Sequence, residues 1–218
     1  MEEKALNLIQ LILYNSLGII TILNPIAAAA IMLLLLSHKT TKEEILNISK
    51  MASLTILIAA IATVFFGDLI FKLFGINLLS IKLIGGIVLL TIYLNMIQGQ
   101  IGTGETHSEE EAHEAKQKDD ISIIPLGIPI LFGPGVIATL IVLKTKSSTI
   151  FEQLMLYAAI LISVVVVYLT LRNAHFISKF LKITGLKIAT RIMGLIVGAI
   201  ASQFIVSGAK GLWNLKGN

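Results

Sequence analysis

Residues 5–38 contain no Lys, Arg, Asp or Glu. A straight helix through them would run about 50 Å at 1.5 Å per residue, and Asn24-Pro25 falls inside the run. The hydrocarbon core of a bilayer is only ~30 Å thick, so the stretch is long even for a membrane span. Composition settles where such a stretch belongs. The chain is 56% apolar and 14% charged, whereas soluble domains run near ~45–50% and ~25%. The charges are also segregated: residues 102–120 hold seven of the thirteen acids and only two Lys, which leaves that segment at −5 and the rest of the chain at +9. This is the sequence of an integral membrane protein.

The basic remainder does not point to nucleic acid. Its cations sit singly at the ends of apolar runs, as headgroup anchors do, and no nucleic-acid-binding motif accompanies them. The absence of Cys excludes disulfides, Fe–S clusters, thiolate zinc sites and cysteine catalysis. The N-terminus, MEEKALNLIQ, lacks a basic region and a small-residue cleavage site, so it reads as the start of the first span.

Stretches of spanning length lie at 5–36, 51–71, 80–99, 121–143, 153–171 and 189–209. The second, third, fifth and sixth are ordinary and are bounded by Lys50/Lys72, Lys82, Glu152/Arg172 and Arg191/Lys210. The first and fourth hold every proline in the chain: Pro25 in one, and Pro125, Pro129 and Pro134 among Gly127, Gly133 and Gly135 in the other. Proline removes a backbone donor and clashes with the preceding turn. In lipid, the freed backbone groups survive only where protein or a water-filled cavity satisfies them, so two breaks imply a protected interior site.

Half of 218 is 109, and that offset brings the breaks into register. Leu17, Gly18, Ile19, Pro25 and Ala29 meet Leu126, Gly127, Ile128, Pro134 and Ala138; Lys82, Gly85 and Gly99 meet Arg191, Gly194 and Gly208. The expected architecture is all-α: one membrane domain of six spans, with a three-span repeat at 1–101, an acidic linker at 102–120 and a second repeat at 121–218. Three is odd, so the second repeat enters from the opposite side. Interrupted spans at matching positions of inverted repeats point to a substrate site near the bilayer midplane. Positive-inside counting gives ten cations against seven, which favours both termini outside.

At Asn24-Pro25-Ile26 and Gly133-Pro134-Gly135, with PLGIPILFGPG at 125–135, the chain resembles the MarC/SnatA family of six-span membrane proteins over essentially its whole length. The family's first span typically carries NPIG and its fourth a PLxxPLLxGPG-type run. Here Ala27-Ala28-Ala29-Ala30 stands where the family has glycine and an apolar stretch, which implies a straighter helix after the break. The resemblance implies a multi-pass protein of the cell (inner) membrane that moves small neutral amino acids such as glycine and alanine.

Half-helices beginning near Pro25 and Pro134 leave their first N–H groups unpaired, and with the dipole these suit a carboxylate. The expected substrate contacts are Thr21, Asn24, Pro25, Ile26, Asn95, Gly133, Pro134 and Gly135. The plainer account is that the prolines only kink packed helices and Asn24 only caps one. Thr91, Asn95 and Gln98 form a polar stripe at i, i+4 and i+7; with Ser202 and Gln203 they are pathway or packing candidates. Thr190, Gly194, Gly198 and Ser202 form a small-residue ladder better suited to helix packing. Asp68 is the one acid within an apolar span, and either couples an ion or pairs with Lys72. His107 and His113 lie among Glu109, Glu110, Glu111 and Glu114, in a segment whose composition suits a solvated loop better than a metal site.

The function classes separate as follows. A secondary transporter fits best, with the inverted halves rocking around the site and Na⁺ or H⁺ as candidate coupling ion. A passive channel or facilitator lacks a charged ring or filter signature, and efflux of other small metabolites remains an alternative substrate assignment. An intramembrane enzyme lacks a metal motif, a thiol or a Ser/His or paired-Asp arrangement at membrane depth. No cofactor is expected; a homo-oligomer is left open.

Overall fold

The computed structural model describes residues 2–36, 40–98 and 126–216; the side chains of residues 2–7, 68, 72, 129, 215 and 216 lie outside the description. The acidic segment 102–120, with His107 and His113, therefore falls outside it, as does Pro125. All described elements are helical: α1 (Glu2–Leu23), α2 (Pro25–Leu35), α3 (Lys42–Leu73), α4 (Leu78–Ile97), the short π-helical α5 (Leu126–Leu131), α6 (Pro134–Lys146), α7 (Ile150–Arg172) and α8 (Ala174–Lys216).

Five stretches among the described residues are long and apolar enough to cross a membrane: Leu8–Leu35, Lys42–Gly67, Leu78–Ile97, Ile150–Arg172 and Ala174–Asn214. The expected fourth span is represented by α5 and α6, neither of which is long enough alone. Burial separates the first stretch from the rest, at 61% of its most apolar window against 28–39% for the other four. The end of α1 with α2, and α5 with α6, are thus the enclosed parts, and the exposed apolar side chains come mostly from α3, α4, α7 and α8.

The breaks have one steric cause. A residue preceding proline is disfavoured in the right-handed helical region, and all three described pre-proline residues leave it. Asn24 is left-handed (φ 45, ψ 61), Ile128 is extended (φ −133, ψ 126) and Gly133 is extended (φ −93, ψ 179). The α3–α4 junction is instead turned by a glycine: Gly75 takes φ 65, and Ile76 N–H reaches back to Phe71 C=O at 2.8 Å. Both α3 and α7 open on a reciprocal cap. Glu44 N–H donates to Thr41 Oγ1 and Thr41 N–H to Glu44 Oε2; Glu152 N–H donates to Thr149 Oγ1 and Thr149 N–H to Glu152 Oε2. The last helix starts earlier than the expected 189–209. It begins directly after α7 and is kinked at Lys182, which holds φ 52 and ψ −175, a conformation that costs a non-glycine residue of order 1–3 kcal/mol.

Packing runs between the sequence halves more than within them. The most extensive contact is α4 along α8; α1 and α3 pack on α7, α2 packs on α7 and α8, and α6 packs on α3 and α4. Without a hydrophobic drive between helices in lipid, such contacts rest on close van der Waals approach, which small residues permit. The glycines show where it happens. A Cβ on Gly194 would lie 2.9 Å from Met96 Cβ, one on Gly198 2.8 Å from Tyr93 Cδ2, and one on Gly208 2.7 Å from Leu83 N. These pairs run in opposite chain directions, so α4 and α8 are antiparallel. The four consecutive alanines of α2 are all buried, which lets its backbone approach α7 and α8 closely.

Gly208→Ala is expected to destabilise the α4–α8 pair by about 1–3 kcal/mol, because the methyl group meets backbone that cannot swing aside. Gly18→Ala, with nothing within 4 Å of the new Cβ, should leave stability unchanged or raise it by up to ~1 kcal/mol. Denaturant titration of the detergent-solubilised chain, followed by circular dichroism, separates the two.

Candidate functional site

The two breaks present their backbones in the same way. At the first, Pro25 has no N–H, Ala27 N–H donates to Asn24 Oδ1 at 3.4 Å and Ala28 N–H to Asn24 C=O at 3.1 Å. That leaves Ile26 N–H with no acceptor among the described residues. At the second, Pro134 has no N–H, and Val136 and Ile137 N–H both donate to Gly133 C=O, at 3.0 and 3.3 Å. Gly135 N–H is then the donor left over. Ile26 and Gly135 are related by the 109-residue offset. Each half-helix therefore offers one free N–H at the second position of its first turn, where the helix dipole is positive.

The breaks also lie beside each other. A Cβ on Gly135 would stand 3.8 Å from Ile22 Cγ2, 2.9 Å from Ile92 Cδ1 and 3.0 Å from Leu89 Cδ2. The end of α1 and the middle of α4 thus form an apolar cup around the Gly135 backbone, and only glycine fits it without a shift. Packing of α1 on α6 and of α2 on α5 joins the same two regions. A pair of N–H donors in apolar surroundings can hold one carboxylate or one small anion, and the tight walls restrict what can be attached to it.

The expected site residues divide. Asn24 is buried and caps α2 through Oδ1, while its Nδ2 makes no hydrogen bond among the described residues. Pro25 and Gly133 are buried, Ile26 is half-buried and Pro134 is exposed. Thr21 is buried, but its hydroxyl donates to Leu17 C=O at 2.6 Å, so it retains only acceptor capacity. Asn95 is half-buried. Thr91 on α4, Gln98 just beyond its end, and Ser202 and Gln203 on α8 are exposed. The reason lies in the helix faces: α4 buries Leu89, Ile92 and Met96, and α8 buries Val197, Ala201 and Phe204, which turns the polar positions outward. Thr91 tolerates this by donating to Ile87 C=O. Asp68 lies on α3, near its C-terminal end.

Sequence reasoning passed over a second set of buried polar groups: Asn15 and Ser16 on α1, Ser49 and Ser53 on α3 and Ser163 on α7 are all buried, as is Thr190 of the small-residue ladder on α8. Ser163 Oγ lies 2.7 Å from Ala159 C=O and 3.4 Å from Ser16 C=O, linking α7 to α1. Ser16, Ser53 and Thr190 hydroxyls are buried without a hydrogen-bond partner among the described residues. Asn15-Ser16 was the available signal, two adjacent polar residues in a charge-free run.

These features define a class: a multi-pass integral membrane protein whose described elements are all helical. Comparison with known proteins gives the family. The family model for MarC family integral membrane proteins matches residues 9–213, and the chain belongs to that family. Membrane protein MJ1677 of Methanocaldococcus jannaschii is 38% identical over 194 residues, covering 89% of this chain and 93% of its own. YvbG of Bacillus subtilis is 35% identical over 206 residues (93% and 95%), and YhcE of Escherichia coli is 31% identical over 198 residues (90% and 91%). No solved structure matches the chain.

Asn24 carries both a cap and a left-handed backbone, and two substitutions separate them. Asn24→Gly keeps the backbone and should cost only a few tenths of a kcal/mol. Asn24→Ala loses the cap and adds strain, for about 1–3 kcal/mol in all. The same denaturant titration measures both.

Proposed function

We propose that this protein is a secondary active transporter of small neutral amino acids, neither an enzyme nor a cofactor-dependent protein, working by alternating access around the paired helix breaks. The observation that carries this reading is the equivalence of the free Ile26 and Gly135 N–H groups, one at each break, with Ile22 against Gly135. In a water-poor site such donors bind a carboxylate strongly. Asn24 Nδ2, or carbonyls freed at the breaks, complete the polar surroundings for an ammonium group or a coupling Na⁺. The tight cup at Gly135 favours a small side chain. Glycine and alanine as substrates follow from the resemblance to the MarC/SnatA family.

The packing pattern supports a six-span inverted repeat. Exchanging α1–α2 with α5–α6, α3 with α7 and α4 with α8 turns the α2 contacts with α7 and α8 into the α6 contacts with α3 and α4. It also turns α1 on α7 into α5 on α3, and leaves α4–α8 and α3–α7 unchanged. Such interleaved halves are not separate rigid bodies. The moving units of alternating access are therefore composite, with the α4–α8 pair shifting against the broken helices and α3–α7, in place of one sequence half rocking against the other. The protein resides in the cell (inner) membrane with both termini outside, and Na⁺ or H⁺ supplies the gradient.

Purified protein in liposomes should accumulate labelled glycine and alanine when a Na⁺ or H⁺ gradient is imposed. Asn24→Gly and Gly135→Val, at equal abundance in the vesicles, should reduce uptake by tenfold or more. Equilibration without accumulation would replace the transporter with a facilitator or channel. Full uptake by both variants would remove the breaks as the substrate site.

A further inference from the structure

No Asp or Glu occurs after Glu152, and five of the seven cations beyond it (Arg172, Lys179, Lys182, Lys187 and Arg191) fall in the short stretch where α7 passes into α8. All five are exposed, as is His175, and none has an acidic partner among the described residues. The corresponding stretch of the first half, 63–82, holds only Lys72 and Lys82 against Asp68. The unbalanced charge is thus concentrated at the α7–α8 junction.

The backbone gives this charge a shape. Residues 174–181 form a helical segment of their own, set off from the rest of α8 by the kink at Lys182. Ala174 is buried, and Ile177 and Leu181 on the same face are half-buried. Phe176 and Phe180 project on the opposite side, 70% and 78% exposed, with ring centroids 6.2 Å apart and nearly parallel; Ile183, 70% exposed, follows beyond the kink. His175 and Lys179 run along the flank between the two faces, by helical spacing, and Arg172 ends α7 just before this segment. A stripe of large apolar groups bordered by cations is the pattern of a helix lying in the membrane–water interface. There aromatic rings enter the acyl boundary and cations meet anionic headgroups.

We propose that residues 172–191 form a binding platform for anionic phospholipid headgroups, with Phe176, Phe180 and Ile183 seated in the outer acyl region and Arg172, Lys179, Lys182, Lys187 and Arg191 holding the phosphates. The other occupant of opposite charge would be the acidic stretch 102–120 of the same chain. The lipid surface is favoured because the exposed rings stand beside the cations, and that stretch has no large apolar residue to cover them.

The platform is tested without reference to transport. A chain with a single indole, made by Trp213→Phe together with Phe176→Trp, is placed in phosphatidylcholine nanodiscs containing a minority of phosphatidylglycerol, with bromine on the acyl chains of one lipid or the other. Brominated phosphatidylglycerol should quench the fluorescence of that indole with roughly threefold or greater preference over its share of the bilayer. Lys179→Gln with Lys182→Gln and Lys187→Gln should abolish the preference, while Arg at the same three positions should keep it. Equal quenching by both lipids in the parent chain, or loss of the preference in the Arg variant, would overturn the proposal. So would a preference that appears only after Glu109, Glu110 and Glu111 are changed to Gln, which would identify the acidic stretch as the occupant. These results are independent of whether amino acids are transported.

Discussion

The steric conflict between proline and the residue before it is the constraint on which the rest depends. A proline ring crowds its predecessor out of the right-handed helical region, and in a membrane there is no water to take up the backbone groups this frees. Asn24 yields by turning left-handed, Ile128 and Gly133 by extending. After Asn24 and Gly133 the consequence is common: a new first turn at Pro25 and at Pro134, each with one N–H unused among the described residues. Enclosing those turns then requires neighbours, and both stretches that carry a break are largely buried among the described residues.

Enclosure in lipid cannot rest on hydrophobic exclusion, because the solvent is as apolar as the side chains. It rests on close approach. Gly86 and Gly208 bring the α4 and α8 backbones together; a Cβ on Gly86 would stand 2.9 Å from Ala201 C=O. Gly85 seats α4 against Ala138 of α6, directly after the second break. The same glycines that join α4 to α8 thus hold α4 where Leu89 and Ile92 wall the Gly135 backbone. The α4–α8 seam and the wall of the second break thus share one helix, α4.

Much of this was legible in the sequence. Charge-free length marks the spans, and prolines at 25 and 134 mark the two helix starts to the residue. The reciprocal caps were equally readable as Thr41-x-x-Glu44 and Thr149-x-x-Glu152. The polar stripes were not, for a physical reason. In a helix a serine or threonine hydroxyl can donate to the carbonyl four residues back, and here Ser49, Thr55, Thr63, Thr91, Thr139, Ser163 and Thr170 all do so. A hydroxyl satisfied by its own helix can face lipid or the interior at little difference in energy. Its presence in a span therefore does not say which way the helix is turned, and Thr91 faces outward. The kink at Lys182 was also illegible, since no glycine or proline stands at the turn.

The proposed site, made of backbone donors, would leave little trace in a side-chain inventory. A charged residue at the midplane would hold substrate more tightly at high cost to insertion, and it would leave a plain mark in the sequence. Helix N-termini supply a comparable field at no such cost, and they are visible only as the prolines and glycines that create them. This also explains the asymmetry in charge between interior and edge. No carboxylate stands among the described buried residues, and the described cations of the α7–α8 junction are exposed.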